Sequence, residues 1–362
     1  MKYKDDWDRA KQRFNALWNR EIADRCCFSV HAPGDGADME AYQLKKPDPH
    51  AGGEDCLAYW TDARAILTRY INKFENTFFG GEAFPLLWLN LGAAGHAGFF
   101  DGARYEFRDT VWFHPSIDDL EKKLPVYDPE SFLFRTTCEL AEFFCSEANG
   151  DFMVSMPDTS GNIDALAHLR GNTELLMDLA STPEAVHAAL AEIQKAWEIT
   201  NETVYKTVQE NNQGGSSIGW LTTWAQGRHA QMQSDLSVMV SPDMFEEFVL
   251  PELRQQSAWM DYSTYHFDGI EQIRHLDMLL GLDELDMIQW TSVAGQPSPL
   301  EYIPVLKKIQ DAGKIVHLSL RKEEVEPVMR ELSSRGLYIR THARSESEAR
   351  ELLKQVETWT HE

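Results

Sequence analysis

Two polar side chains set one residue apart, His266 and Asp268, are the residues of this sequence best suited to chemistry. Positions i and i+2 of a β-strand face the same side, so the imidazole and the carboxylate could bind one ion together. Two histidines and one carboxylate with open positions suit zinc or ferrous iron. We predict His342 as the third ligand from its position after the last predicted strand, with His317 as the next candidate. The alternative is a turn in which Asp268 caps the next segment and His266 hydrogen-bonds a loop.

Two further carboxylates stand at predicted strand ends. Asp158 could act as a general base or hold a substrate hydroxyl or ammonium group. It could equally serve as a helix N-cap or in an Asx-turn. Asp235 either caps the segment 236–240 or points into a site. Asp164 and Arg170 are expected to brace the loop after Asp158 as an ion pair.

Aromatic side chains also gather near the predicted strand ends, namely Trp220, Trp224, Phe267 and Trp290. They could form a wall around an apolar or methylated ligand, with a cation–π contact if the ligand is a quaternary amine. The alternative is that they are ordinary core residues. No GxSxG motif occurs and no cysteine stands beside a histidine, so the sequence does not favour a covalent serine or cysteine mechanism.

These side chains need strands to position them, and the sequence repeats a unit that would provide such strands. Each unit has a short apolar run, a polar or glycine-bearing loop and then a helical pattern. The runs are CCFSV (26–30), LLWLN (86–90), DFMVS (151–155), IGWLT (218–222), YSTYH (262–266), DMIQW (286–290), IVHLS (315–319) and LYIRT (337–341). Eight β-then-α units predict an α/β fold of the (β/α)8 TIM barrel type with insertions. We expect a single domain over residues 1–362, with an N-terminal helical extension over about residues 1–24. A doubly wound open sheet is the alternative.

A barrel would gather its chemistry at the carboxyl ends of the strands. The residues that we expect to contact a substrate there are His31, Asn90, Trp224, Trp290 and His317. Neither GxGxxG nor GxxxxGK[ST] occurs, so the sequence offers no loop for cradling a nucleotide.

Composition restricts the partners. The chain has 362 residues and a formal net charge of −24, so nucleic acid and anionic membrane surfaces would be repelled. No apolar run approaches the ~20 residues of a membrane span, and the N-terminus has no signal-peptide core. Five cysteines without a CxxC pair suit a reducing compartment. We expect a cytoplasmic protein that binds neither nucleic acid nor membranes.

Three segments together resemble the uroporphyrinogen decarboxylase superfamily. They are SDLSVMVSPDMFEEFVLPEL (234–253), YHFDGIEQIRHLDMLLGLDELDMIQWTSVAGQPSPLEYIPVLKKIQDAGK (265–314) and GLYIRTHARSESEARELL (336–353). The similarity is best from about residue 150 to the C-terminus. That superfamily folds as a (β/α)8 barrel and contains decarboxylases of porphyrin synthesis and corrinoid-linked methyltransferases. The resemblance therefore implies this fold and one of these kinds of activity.

The true decarboxylases of the superfamily carry an Arg-Gln-Ala-Gly run, whose arginine helps to bind substrate carboxylates, and an aspartate after the second strand. Here the corresponding segments read CCFSVHAPGDGAD, which has no arginine, and FFGGEAFPLLWLN, which has Glu82 but no aspartate. A tetrapyrrole with many carboxylates needs such arginines. Decarboxylation of uroporphyrinogen is therefore disfavoured.

The methyltransferase branch is more similar. Its members bind zinc through a His-x-Cys-Gly segment after a late strand and through a cysteine after the last strand. Here HFDG (266–269) keeps the histidine and the glycine, Asp268 replaces the cysteine, and His342 follows the last strand. The resemblance implies that His266 and Asp268 line the active site. Zinc does not follow directly, since both thiolates are replaced, but a His, Asp, His set could bind zinc or another divalent metal with a different Lewis acidity.

The function that this resemblance implies is methyl transfer. The methyl group would move from a small methoxy or methylamine compound to a corrinoid carried by a partner protein, or from a corrinoid to a small acceptor. Asp235 and Asp158 would orient the substrate, and His266 or a metal would neutralise charge on the leaving oxygen or nitrogen. The alternatives are a decarboxylase or lyase that acts on a small acid, and a non-catalytic member that binds a ligand within the aromatic wall.

Overall fold

The computed structural model describes residues 1–48, 52–159, 161–291 and 295–362. Its strands are β1 (Cys27–Pro33), β2 (Thr77–Gly81), β3 (Leu86–Leu87), β4 (Arg104–Phe107), β5 (Val111–His114), β6 (Met153–Val154), β7 (Gly215–Ile218), β8 (Thr223–Gln226), β9 (His229–Met232), β10 (Tyr262–Phe267), β11 (Met287–Trp290), β12 (Ile315–Ser319) and β13 (Leu337–His342). The α-helices are α1 (Trp7–Trp18), α2 (Met39–Tyr42), α3 (Glu54–Thr61), α4 (Ala63–Glu75), α5 (Phe132–Ala148), α6 (Asn162–Arg170), α7 (Asn172–Ser181), α8 (Pro183–Val208), α9 (Pro242–Met244), α10 (Leu250–Trp259), α11 (Leu276–Leu280), α12 (Ile303–Asp311), α13 (Lys322–Glu331) and α14 (Glu346–Trp359). Short 3₁₀ segments cover Gly95–Phe99, Asp235–Met239, Gly269–His275 and Pro299–Tyr302, and a π-helical turn, Phe245–Val249, joins α9 to α10.

A mostly parallel sheet forms the centre of the molecule. Seven strands pair in the order β2-β1-β13-β12-β11-β10-β9. Every pair in this sheet is parallel except β1 with β2 at one edge. Parallel neighbours end at the same edge of a sheet, so the residues that follow β9 to β13 are brought together in space.

A second group of strands comes from the first half of the chain. β3 pairs in parallel with β6, and Met156, just after β6, forms a parallel bridge with Ile218 at the end of β7. The Ser216 hydroxyl of β7 also bonds the backbone of His229 in β9, 2.7 Å from its N and 3.0 Å from its O. The pairings of the described residues do not close into a ring. The fold is thus α/β with a mostly parallel central sheet, and it is compatible with a (β/α)8 barrel.

From β10 to the C-terminus the chain alternates strand and helix, as its apolar pattern predicts. β11, α12, β12, α13, β13 and α14 follow one another in sequence. α13 directs Val325, Val328 and Met329 inward, and all three are fully buried. Strands that helices cover on their outer face are rich in apolar residues along their whole length. These strands are therefore the easiest to predict from the sequence.

The predicted N-terminal helix is present as α1. Trp7 and Phe14 on this helix belong to a buried cluster with Phe84, Trp224 and Tyr338. Tyr338 stands near the start of β13. α1 therefore covers the end of the sheet opposite the carboxyl ends of the parallel strands, and leaves those carboxyl ends available for a site.

Within the described part of the chain, no helix combines the length and the apolar character needed to cross a membrane.

Candidate functional site

Three ligand-type side chains converge beyond the ends of β9 and β10. Asp235, His266 and Asp268 each offer one ligand atom, and these atoms lie within 4.8 Å of one another. His266 lies within β10, Asp268 follows that strand, and Asp235 begins the 3₁₀ segment after β9. Since β9 and β10 are parallel neighbours, the fold itself brings the three groups to one edge.

His266 is oriented by the neighbouring strand β11. It lies opposite Gln289 in the parallel register, and its Nδ1 is 2.5 Å from Oε1 of Gln289 and 3.0 Å from Oγ1 of Thr291. An amide oxygen only accepts, so Nδ1 carries a hydrogen and donates it to Gln289. Nε2 then faces Asp268, whose Oδ1 is 3.2 Å away. Metal-binding histidines are fixed in this way by a partner on the second ring nitrogen.

Asp268 is positioned by the sharp turn that follows it. Gly269 has a φ of +64°, a conformation that residues with a Cβ rarely adopt. A Cβ there would also lie 2.9 Å from the carbonyl oxygen of Thr291. The backbone N–H of Asp268 donates to Oε1 of Gln272 over 3.2 Å. Glycine at this position therefore keeps Asp268 close to His266.

The backbone at Asp235 is held by Asp164, a buried carboxylate that we predicted from the sequence to pair with Arg170. Asp164 accepts the backbone N–H groups of Asp235, at 3.0 Å, and of Leu236, at 2.9 Å. The prediction that Asp164 and Arg170 form an ion pair is wrong. Arg170 instead donates to Asp178, with Nε 2.6 Å from Oδ2. Asp164 thus serves as the anchor of the Asp235 turn.

Electrostatics couples the three groups. Burial would lower the pKa of His266, but the hydrogen bond that its ring donates to Asp268 and the charges of Asp268 and Asp235 outweigh it and raise that pKa. Burial would raise the pKa of Asp268, yet its hydrogen bond to His266 and the charge of His266 lower it. Asp235 has a surface open to solvent, but protein atoms surround much of its carboxylate. This partial desolvation, together with the charge of Asp268, raises the pKa of Asp235 to about 6. A proton or a divalent cation would relieve the repulsion between the two carboxylates.

Asp158 is linked to His266 through Gln231 and Trp220. Its Oδ1 accepts from Nε2 of Gln231 over 2.6 Å, and Oε1 of Gln231 accepts from the indole nitrogen of Trp220 over 2.5 Å. The Trp220 ring meets the His266 ring nearly at right angles, with centroids 4.9 Å apart. Burial raises the pKa of Asp158 to about 7. A carboxyl group with this pKa exchanges protons readily at neutral pH, as general acid–base catalysis requires.

Trp220 also lines a cavity of about 380 Å³ with mostly apolar walls. Three residues predicted from the sequence line this cavity, namely His31, Asn90 and His342. Its volume lies in the range of small-molecule sites. Trp220 therefore stands between the cavity and the group formed by Asp235, His266 and Asp268.

His342 is not positioned as the third ligand that the sequence predicts. Its ring lies 5.6 Å from that of His31, whereas the ligand group found among the described residues contains Asp235 in its place. β13 is separated from β10 by β12 and β11, so the end of β13 is two strands too far away.

Three of the predicted substrate contacts lie elsewhere. Trp224 is fully buried and packs against Trp7 of α1, with centroids 5.7 Å apart, because the chain turns tightly at Thr222 and sends β8 back toward the opposite end of the sheet. Trp290 packs on Tyr302 with centroids 5.2 Å apart. It points into the helix layer because its neighbour Gln289 faces His266, and successive strand residues face opposite sides.

His317 lies opposite Gln289 in the register of β11 and β12. It is fully buried, and its ring lies 4.4 Å from that of Tyr338. His317 is absent from the described residues that line the cavity. His317 is therefore an interior residue in place of the predicted substrate contact.

Several residues of the site escape sequence reasoning. Gln231 and Gln289 look like ordinary polar residues. Gln289 interrupts the apolar strand MIQW (287–290), whereas Gln231 lies in the mixed strand HAQM (229–232), which gives no signal. Arg340 and Lys73 line the cavity, and of these two Arg340 alone carries a signal in the sequence. Arg340 interrupts the apolar run LYIRT with a charge, which is rarely tolerated without a purpose.

No protein-family model matches the chain, and no curated protein matches it either.

Proposed function

We propose that this chain is a (β/α)8-barrel enzyme of the uroporphyrinogen decarboxylase superfamily, closer to its corrinoid-dependent methyltransferases. It moves a methyl group between a small methoxy or methylamine compound and a corrinoid protein. The observation that carries the proposal is the convergence of Asp235, His266 and Asp268, with ligand atoms within 4.8 Å of one another. This group includes the HFDG segment (266–269) that resembles the zinc-binding segment of those methyltransferases.

The three residues fit a divalent metal. Two carboxylates and one imidazole are a hard donor set that suits zinc, ferrous iron or manganese. Nδ1 of His266 is engaged by Gln289 at 2.5 Å, which leaves Nε2 on the side of Asp268. Solvent access to Asp235 leaves room for a substrate beside the ligands. When bound, the metal would supply Lewis acidity toward the oxygen or nitrogen that loses the methyl group.

The chain's own residues perform the remaining tasks in this proposal. Asp158 delivers a proton to the leaving oxygen or nitrogen, since its pKa of about 7 leaves much of it protonated at neutral pH. Gln231 fixes the orientation of Asp158 through their 2.6 Å hydrogen bond. Trp220 excludes water from one side of His266.

The test is methyl transfer to cob(I)alamin, followed by the absorbance change on cobalt methylation. The donor panel contains methoxylated aromatic compounds, methanol and methylamines, offered to protein loaded in turn with zinc, ferrous iron and manganese. We expect one class of donor to react, and we expect His266→Ala to lower the rate about a hundredfold or more. His114→Ala is the matched control, since His114 is half exposed and its ring pairs with Glu106. The absence of cobalt methylation across the panel, or full activity of His266→Ala, would contradict the proposal.

A decarboxylase or lyase acting on a small acid is the second candidate, because the cavity beside Trp220 carries cationic side chains. Release of CO2 from a panel of small carboxylic acids, without any corrinoid, distinguishes this reaction from methyl transfer. Turnover in that assay, with no cobalt methylation, would favour the second candidate.

A further inference from the structure

We propose that the cavity beside Trp220 binds an organic anion with a flat apolar body, whose anionic group contacts Arg340 and Lys73. The inference names the substrate class of the site described above, and it rests on the proposed function only in treating this anion as a substrate. Binding itself requires neither the metal nor methyl transfer.

The charge of the cavity is opposite to that of the whole chain. The sequence has 58 acidic and 34 basic residues, yet the charged residues that line the cavity are all basic: Lys46, Arg69, Lys73 and Arg340. No carboxylate occurs among the described residues of its lining. A concave surface with one sign of charge concentrates ligands of the opposite sign.

The cation of Arg340 is available to a ligand. Arg340 lies in β13, in the interior of the fold, and Nη1 donates to the carbonyl oxygen of Trp220. That single bond leaves most of the five guanidinium hydrogens without a protein acceptor in the described part of the chain. Removing a guanidinium from water is costly unless an anion compensates it. A bound carboxylate, sulfonate or phosphate would provide that compensation.

Lys73 adds a second cation to the same wall. It stands in the last turn of α4, and its Nζ has neither a hydrogen bond nor an ion pair with any described residue. Its charge and that of Arg340 act on each other, and burial and Arg340 both lower the pKa of Lys73. Two cations held together without a counter-charge repel each other, and an anion between them would turn that repulsion into attraction.

The remaining lining indicates the shape of the ligand. Tyr70, Phe144, Trp88 and Trp220 contribute aromatic surface, which packs well against a flat apolar body. Nε1 of Trp88 and Nδ1 of His31 are buried without a hydrogen-bond partner among the described residues. Both residues line the cavity, so these atoms offer further polar contacts to the anionic group.

The indole of Trp88 has a fixed place in this wall. A Cβ on Gly219 would overlap Cδ1, Cγ and Cβ of the Trp88 side chain. Glycine at position 219 therefore permits the Trp88 side chain to lie close against the backbone. The cavity keeps its volume because the chain has no side chain at this point.

Isothermal titration calorimetry on the full chain tests the proposal with benzoate, its neutral isostere benzamide, and acetate. We expect benzoate to bind at least about tenfold more tightly than either, because charge and apolar surface are both needed. Equal affinity for benzoate and benzamide would overturn the anionic half, and equal affinity for benzoate and acetate would overturn the apolar half. Benzenesulfonate and phenyl phosphate identify the preferred anionic group, and tighter binding of either supports the proposal.

Two variants assign the binding to the cavity. Arg340→Met should weaken benzoate binding about tenfold or more, while Arg344→Met, which removes an exposed arginine paired with Glu348, should not. Because Arg340 also contacts the backbone of Trp220, thermal unfolding is measured alongside. Lys73→Met removes a cation that has no partner among the described residues, so its loss of affinity should come without a loss of folding. Unchanged benzoate affinity in folded Lys73→Met and Arg340→Met would overturn the proposal.

The two proposals fail separately. Benzoate binding that depends on Arg340, in a protein that never methylates cobalt, would uphold the anion site and reject methyl transfer. Methylation of cobalt by a protein that binds benzoate no more tightly than benzamide would uphold the methyltransferase and reject the anion site.

Discussion

The hydrogen bond between His266 and Gln289 decides which nitrogen of His266 is free for chemistry. Gln289 engages Nδ1 at 2.5 Å, so Nε2 faces Asp268. The i, i+2 spacing of His266 and Asp268 predicts that the two lie on one side of the chain, and their 3.2 Å contact confirms that they meet. The partner Gln289 could not be predicted, since it depends on the register between two strands that are distant in sequence.

Replacing Gln289 tests this arrangement. We expect Gln289→Leu to weaken zinc binding about tenfold or more, because the imidazole loses the partner that fixes its orientation. Competition with a chromophoric chelator measures the affinity. Gln226→Leu, an exposed glutamine on β8, is the matched control. Unchanged zinc affinity in Gln289→Leu would show that Gln289 has no part in orienting His266.

At the scale of elements, the strands from β10 onward could be predicted from the sequence, and β7 to β9 could not. β12 covers Ile315–Ser319, the same residues as the apolar run IVHLS. The run IGWLT, by contrast, begins where β7 ends and contains a tight turn with Thr222 at a φ of +56°. A buried turn and a buried strand have the same apolar composition. The displaced position of Trp224 follows from that ambiguity.

Gly269, in the turn after β10, can be compared with Gly313, a second glycine of positive φ that follows α12. Gly313→Ala, at a φ of +74° with nothing within 4 Å of the new Cβ, should lower the free energy of unfolding by about 1 kcal/mol. Gly269→Ala, at +64°, should cost at least about 1 kcal/mol more, because its Cβ would lie 2.9 Å from the carbonyl oxygen of Thr291.

Urea unfolding measures both glycine variants, and zinc titration of the folded proteins follows. Only Gly269→Ala should also lose zinc affinity, since only that turn positions Asp268. Equal costs and equal zinc affinities in the two variants would contradict this role for Gly269.

At the scale of the whole molecule, buried acids should make stability depend on pH. Burial raises the pKa of Asp158 to about 7 from an ordinary 3.8. The folded state therefore holds this proton more tightly than the unfolded state does. The stabilisation is full below about pH 4 and is lost as the pH rises through about 7.

Comparison of wild type with Asp158→Asn isolates this contribution. In chelator-treated protein, the free energy of unfolding of wild type relative to Asp158→Asn should fall by about 1–3 kcal/mol between pH 4.5 and 8. Urea unfolding at a series of pH values gives this difference directly, and groups common to both proteins cancel. A difference that stays constant or rises with pH would show that Asp158 is not a raised-pKa acid.

The net charge of the whole chain does not predict the positive charge of the cavity lining. A formal net charge of −24 predicts correctly that acidic groups dominate, but it averages over position. The cationic lining exists because α4 and β13 meet there in the fold, and bring Lys73 and Arg340, which are far apart in sequence, to one wall. Only tertiary structure could reveal that exception.

The central claim is that Asp235, His266 and Asp268 form a metal site. Anomalous diffraction from crystals grown with zinc, recorded on both sides of the zinc absorption edge, tests it most directly. We expect one strong peak per chain, about 2 Å from Nε2 of His266 and from a carboxylate oxygen of each aspartate, and absent from crystals of His266→Ala. No anomalous peak among these three residues, or one that persists in His266→Ala, would contradict the claim.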